Sequence, residues 1–318
     1  MADSIRVLIA DDMSKRAVEI LQKAGFAVDV KVGLKPEELA AIIGQYHGLG
    51  IRSATKVTAA ILENPGSLKI IGRAGVGVDN IDVKAAAAKN VLVINTPQGN
   101  AAAAAEMAIA LMFALARKVP QAAESMRQGI WEKKKFMGVE IAGKTLGVVG
   151  LGNIGRQAAE RGVGLKMSVI GYDPLVKSET GLPAGVKLAS LDDIITKSDF
   201  VTLHVPLTPE TKDLFNAATF ARMKKGSYLI NCARGGIVNE PDVLEALKSG
   251  QLAGAALDVF GKEPPEPSPL FAHENLIASP HLGASTREAQ EKVAIELAEV
   301  FVGYLKDGIV KNAVKPTS

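Results

Sequence analysis

The segment Lys144 to Pro174, KTLGVVGLGNIGRQAAERGVGLKMSVIGYDP, constrains the fold of this 318-residue chain more than any other stretch. It reads strand, glycine turn, helix, strand, acid. Leu146 to Val149 is a short apolar, β-branched run, as a buried parallel strand requires. Gly150, Gly152 and Gly155 follow at GxGxxG spacing, and a helical pattern begins at Asn153 with Ile154, Ala158 and Ala159 among its apolar positions. A second strand, Met167 to Tyr172, ends in Asp173. Gly150 permits the tight turn, Gly152 leaves the backbone open to a pyrophosphate, and Gly155 lets the helix pack close to the strand. The positive end of the helix dipole and its N–H groups hold the anion. Asp173 lies 18 residues after Gly155. An acid near that distance suits a ribose 2′-hydroxyl and repels a 2′-phosphate, so NAD is expected over NADP.

Strand and helix patterns alternate elsewhere too. Strands are expected at Ile5 to Ala10, Phe26 to Val32, Leu49 to Arg52, Leu68 to Gly72 and Val91 to Asn95. Between them, helices are expected at 14–24, 36–43, 58–62 and 83–89. One long alanine-rich helix is expected from about Asn100 to Met126, and further βα units after the glycine turn. The fold class is therefore α/β, with two Rossmann-like or flavodoxin-like parallel-sheet domains and an interdomain cleft. The final helix, Thr286 to Lys306, has no strand to lead into and is expected to cross back to the first domain. The expected domains are 1–98 with 285–318 for substrate, and 99–284 for NAD.

Composition narrows the function classes. A formal net charge of +3, with no long basic run or aromatic-interleaved basic patch, argues against nucleic acid and against an anionic membrane. The most apolar stretch, Ala101 to Ala116, is shorter than a membrane span. The N-terminus has no signal-length apolar segment. The single cysteine, Cys232, excludes an internal disulfide and fits a reducing compartment; a cytoplasmic protein is expected. Cys232 has no paired Cys/His spacing, so neither a metal site nor thiol catalysis is expected.

Three side chains past later strands make a chemical set. His281 in IASPHLGAS, Glu263 in ALDVFGKE and Arg234 in LINCARGG each have an ordinary structural reading when taken singly. Together they fit hydride removal from a 2-hydroxy acid. His281 handles the hydroxyl proton, Glu263 orients and supports the imidazolium, and Arg234 clamps the carboxylate with its planar fork. In the first domain, Gly75-Val76-Gly77 forms a glycine-rich turn, either an anion-binding nest or a plain turn. Arg52 and Ser53, past another strand, suit an oxyanion. Lys133 and Lys134 add charge if their loop reaches a partner subunit. His204 ends a strand near the expected cofactor; His47 and His273 read as loop residues.

IRSATKVT, GRAGVGVDNID, NTPQGN, SMRQGIWEKKKFMG, NCARGGIV, AALDVFGKEPP and SPHLGAST, with the glycine-turn unit, resemble the D-isomer-specific 2-hydroxyacid dehydrogenase family over essentially the whole chain. The resemblance implies Arg234, Glu263 and His281 as catalytic residues. It implies cofactor contacts at Val76, Asn153, Ile154, Asp173, Val205, Pro206, Cys232, Ala233, Arg234, Asp258, His281, Gly283 and Ala284, besides Gly150, Gly152 and Gly155. It implies substrate contacts at Arg52, Ser53, Gly75, Asn100, Arg234 and His281, and no metal. The implied reaction is NAD-dependent oxidation of 3-phospho-D-glycerate to 3-phosphohydroxypyruvate, the entry to serine synthesis. The implied assembly is a homodimer through residues 99–143. Alternatives are a glyoxylate or hydroxypyruvate reductase on the same scaffold, and a nucleotide-sensing, corepressor-like binding module. Many family members continue into a serine-binding regulatory module. The sequence here ends at KNAVKPTS, and serine feedback through such a module is expected to be absent.

Overall fold

The computed structural model describes residues 4–316. Their contacts divide into two units, one running up to Ala101 and resuming at Ala284, the other spanning Ala102–Gly283.

The first unit opens with β1 (Arg6–Ile9), α1 (Lys15–Lys23), β2 (Ala27–Val30), α2 (Pro36–Ile42), β3 (Gly48–Ile51), β4 (Ile70–Arg73), α3 (Val83–Ala88) and β5 (Leu92–Asn95). The strands form one sheet in the order β2-β1-β3-β4-β5, with every pairing parallel. That is the flavodoxin-like order, whose ligands bind past the carboxyl ends of the strands.

The second unit holds α4 (Ala101–Arg117), α5 (Val119–Arg127), β6 (Thr145–Val149), α6 (Asn153–Gly164), β7 (Ser168–Tyr172), β8 (Val186–Leu188), α7 (Leu191–Lys197), β9 (Phe200–Leu203), α8 (Ala217–Arg222), β10 (Ser227–Asn231), α9 (Glu240–Lys248), β11 (Leu252–Leu257) and β12 (Leu276–Ala278). Its sheet runs β12-β11-β10-β9-β6-β7-β8, again parallel throughout. The chain reverses direction across the sheet between β6 and β9, which marks a doubly wound fold and its ligand crevice. Both sheet faces are covered. Leu146 and Val148 of β6 pack with Leu111, Met112 and Leu115 of α4, while Val149 joins Val201, Leu203 and Leu257 in a separate cluster.

The last helix, α10 (Arg287–Asp307), packs on α1 and β4 of the first unit. Thr286 caps its start by accepting the Ala289 N–H at 3.1 Å. Its buried stripe includes Val293, Leu297 and Phe301. The Phe301 ring packs against β3 and β4 where Gly48 and Gly72 make room. A Cβ on Gly72 would sit 2.5 Å from the Phe301 ring. Burying a side chain of that size stabilises the unit by about 1.5–3 kcal/mol.

Two expected helices are corrected. Residues 58–62 form turns, with Leu62 N–H shared between the Thr58 and Ala59 carbonyls. Five residues ahead of Pro65 are too few to repay the cost of a helix nucleus. The helix expected across 100–126 breaks at Lys118, which adopts a left-handed conformation with φ 51°. Pro120 has no N–H for the Ala116 carbonyl, and the Val139 N–H takes that carbonyl instead at 2.8 Å. Strand β8 and helix α7 carry no strong apolar run. Their clearest sequence mark is the Ser190–Asp193 capping box that starts α7.

Candidate active site

The carboxyl ends of the second unit's strands carry most of the expected residues. Between β6 and α6, Gly150 has φ +96°, and a Cβ there would lie 2.4 Å from the His204 carbonyl oxygen. A Cβ on Gly155 would lie 1.8 Å from the Gly150 carbonyl oxygen, so strand and helix are in direct backbone contact. Gly152 differs: a Cβ there would meet nothing within 4 Å. Gly152 caps α6 with no side-chain hydrogen bond. Open space over a helix start, beside two glycines fixed by packing, fits a pyrophosphate. Asn153 and Ile154 open the helix there.

Asp173 ends β7 and turns back to the same loop. One carboxylate oxygen accepts the Leu151 N–H at 2.8 Å and the other the Leu175 N–H at 2.9 Å. Each oxygen keeps a lone pair for a ribose hydroxyl. Val205 and Pro206 follow β9, Val205 standing beside Gly150. Desolvation pushes His204 down to about 4, so its imidazole is neutral at ordinary pH; its Nε2 lies 3.0 Å from the Thr202 hydroxyl.

After β10, the Asn231 side chain shapes the Cys232-Ala233-Arg234 turn. It accepts the Ala233 N–H at 3.0 Å and donates to the Arg234 carbonyl at 2.9 Å. Arg234 donates from Nη1 to the Ala233 carbonyl at 2.6 Å. Burial, with a contribution from Asp258, pushes the Cys232 thiol well above its usual range, which disfavours a thiolate nucleophile.

Asp258 is fully buried past β11. It accepts the Ser279 hydroxyl at 2.5 Å, the Leu282 N–H at 2.8 Å and the Gly283 N–H at 2.8 Å. The carboxylate therefore ties down the turn that carries His281. His281 adopts φ 54°, with its N–H donated to the Asp258 and Ser279 carbonyls. A left-handed histidine is uncommon and is held by these contacts. Its Nδ1 lies 2.7 Å from Glu263 Oε2, and Glu263 Oε1 accepts the Phe260 N–H at 3.1 Å. An ionised Glu263 places the imidazole proton on Nδ1 and leaves Nε2 for proton exchange. Asn231 and Ser279 have no part in the sequence reading. Their only mark there is a polar residue closing an apolar strand.

The first unit places Arg52, Ser53, Gly75, Val76 and Asn100 past the ends of its strands. Thr96 clamps the Gly75 turn, accepting the Gly75 N–H through its hydroxyl at 2.7 Å. Asn95 donates to the Val76 carbonyl at 2.5 Å. Asn100 is buried, and its Oδ1 has no hydrogen-bond partner. His47 and His273 each accept a backbone N–H, from Arg6 and Asn275 respectively. Among the described residues no cluster of His, Cys, Asp or Glu could hold a metal, and no helix is long and apolar enough to cross a membrane.

A doubly wound sheet with a glycine turn, an acid closing the next strand and a carboxylate–imidazole pair past the carboxyl ends of its strands fits a dinucleotide-binding α/β protein of the dehydrogenase class. Residues 109–283 match the family described as "D-isomer specific 2-hydroxyacid dehydrogenase, NAD binding domain". The chain belongs to that family. It is 48% identical to D-3-phosphoglycerate dehydrogenase of Archaeoglobus fulgidus over 98% of its own length and 59% of the relative's. It is 50% identical to D-3-phosphoglycerate dehydrogenase of Homo sapiens over 95% of its length and 56% of the relative's. The chain thus spans little more than half the length of these relatives. Among solved structures, a glyoxylate reductase from Paecilomyes thermophila superposes with a TM-score of 0.89 at 27% identity, covering 98% of each chain.

Proposed function

We propose that the protein oxidises 3-phospho-D-glycerate to 3-phosphohydroxypyruvate with NAD, the entry to serine synthesis. The observation that carries this reading is the 2.7 Å contact between His281 Nδ1 and Glu263 Oε2 on the edge of the dinucleotide sheet. NAD supplies the acceptor for the hydride that leaves C2. The hydroxyl proton passes to His281 Nε2, and Glu263 stabilises the imidazolium that forms. Arg234 holds the carboxylate and polarises the developing carbonyl through its guanidinium. Arg52, Ser53, Gly75 and Asn100 supply the remaining substrate contacts, with Arg52 favouring a dianionic tail. Val76 and the cofactor contacts from Gly150 to Ala284 named above serve the dinucleotide.

We further propose a homodimer through residues 99–143. Trp131 and Met137 there are 77% and 80% exposed, and Val119 and Met126 in the same stretch of chain are exposed too, apolar side chains that a partner would cover. Such a partner would bring Lys133 and Lys134 to the substrate's phosphate. The protein is assigned to the cytoplasm, where a lone cysteine stays reduced.

Reductase activity on glyoxylate or hydroxypyruvate is the second reading, favoured by the likeness to the glyoxylate reductase from Paecilomyes thermophila. A panel of D- and L-2-hydroxy acids and 2-keto acids, followed by NADH absorbance, tests the enzyme reading. Turnover confined to D-isomers is expected. No NADH change with any of them would favour a nucleotide-sensing binding module instead.

A further inference from the structure

The turn from Arg52 to Thr55 is held by two side chains from distant parts of the first unit. Asp11, past β1 and only 3% exposed, accepts the Arg52 N–H at 2.6 Å, the Thr55 N–H at 3.2 Å and the Thr55 hydroxyl at 2.6 Å. Asn80, in the loop after β4, donates from its one amide nitrogen to the Arg52 carbonyl at 2.7 Å and to the Thr55 carbonyl at 2.6 Å. Both backbone polar groups at each end of the turn are therefore taken by these two residues. The Asn80 backbone adds a third tie, accepting the Val57 N–H at 2.8 Å. Arg52 donates from Nη1 to the Asp12 carbonyl at 3.2 Å, which fixes its side chain from the same direction.

What lies between the ends is different. Ser53 and Ala54 are exposed, and their N–H groups have no acceptor among the described residues. Two such N–H groups in a row, with the Ser53 hydroxyl and the Arg52 guanidinium on the same four-residue turn, can serve an anion only while the turn keeps its shape. A four-residue loop without such ties would have to be ordered when the anion binds, and that cost would weaken binding. Asp11 faces the closed side of the turn, where its charge is occupied by three donors. Asn80 has both amide hydrogens in use.

We propose that Asp11 and Asn80 are positioning residues for the substrate's phosphate: they pre-shape the Arg52–Thr55 turn as its anion-binding loop. This rests on the reading that the substrate is phosphorylated and that Arg52 and Ser53 bind it. Neither residue touches the reacting atoms. Their loss therefore raises KM for the phosphorylated substrate and leaves the hydride step alone.

The test is steady-state NADH oxidation by the full chain with 3-phosphohydroxypyruvate and, separately, with hydroxypyruvate. The wild-type preference between the two reads the phosphorylated-substrate proposal alone. Equal wild-type efficiency overturns that proposal before any variant is considered. For Asp11→Asn, KM for 3-phosphohydroxypyruvate is expected to rise at least tenfold with kcat within about threefold, a gap in the range of one charge-assisted hydrogen bond. KM for hydroxypyruvate and for NADH should move less than threefold. Thr55→Val, a near-isosteric change that removes one donor to Asp11, gives a smaller rise and serves if Asp11→Asn does not fold. Thr55→Ser, which keeps the hydroxyl, restores the wild-type KM. Equal rises in KM on both substrates, or a lowered melting temperature with KM unchanged in Thr55→Val, would overturn the positioning role while leaving the wild-type preference intact.

Discussion

Alanine in place of His281 is expected to lower kcat for the phosphorylated 2-hydroxy acid by about 10²–10⁴-fold, the range a positioned general acid–base contributes. Its Nδ1 is occupied by Glu263 at 2.7 Å, so only Nε2 is left to exchange a proton with substrate. The backbone adds a complication, because residue 281 sits at φ 54°. The steric cost of that conformation, about 1–2 kcal/mol for an L-residue, is already borne by histidine, but alanine adopts it less readily than histidine or asparagine. His281→Asn is the control, since asparagine tolerates left-handed φ and carries no base. Both variants should lose turnover alike, and His281→Asn should keep the wild-type melting temperature. Stopped-flow hydride transfer, read as NADH absorbance, separates the chemical step from product release. Full turnover in His281→Asn would remove His281 from the proton-handling role.

A second large effect is expected at the glycine turn, and it separates packing from binding. A Cβ at position 155 would lie 1.8 Å from the Gly150 carbonyl oxygen, a contact that backbone alone must relieve. Gly155→Ala should push α6 away from β6 and lower stability by about 1–3 kcal/mol or more, the usual cost of overpacking a tight contact. NADH affinity should fall at least tenfold, because the N–H groups at the helix start move with it. Gly152→Ala is the informative partner. Its Cβ meets nothing within 4 Å, so the protein should melt at the wild-type temperature. The same methyl would stand where the pyrophosphate approaches, so NADH affinity should still fall. Calorimetric titration with NADH beside thermal unfolding reads both. Unchanged affinity in Gly152→Ala would contradict the placement of the dinucleotide.

The parts of this molecule that were legible in the sequence are those whose physics is local. The glycine turn is written as a fixed spacing because Gly155 meets the Gly150 carbonyl five residues back, Gly150 itself takes a positive φ, and Gly152 between them leaves open space. The parallel sheets follow from apolar runs alternating with helical patterns. Elements that depend on a single break were less visible. The turn at Lys118 follows from Pro120 removing one N–H and from Val139 taking the vacated Ala116 carbonyl, a partner that a window over 100–126 does not contain. The supporting residues of the site were the least visible. Asp258 reaches Ser279 and Leu282 across 21 and 24 residues, and Asp11 reaches Arg52 across 41. These groups meet because β1 and β3, and β11 and β12, are neighbours in their sheets. Spacing along the chain does not encode that adjacency. His281 and Glu263 were readable as chemical types past strands, while their 2.7 Å contact required the folded chain.

The most direct measurement of the account is the ratio of kcat/KM for 3-phosphohydroxypyruvate to that for hydroxypyruvate, with NADH at low ionic strength. Each charge-assisted hydrogen bond to the phosphate is worth about 1.5–3 kcal/mol, so even one realised contact gives a preference of ~10–100-fold. A ratio of at least ten, collapsing in Arg52→Ala while hydroxypyruvate turnover is kept, is the result the account predicts. Equal efficiency on the two keto acids would contradict it.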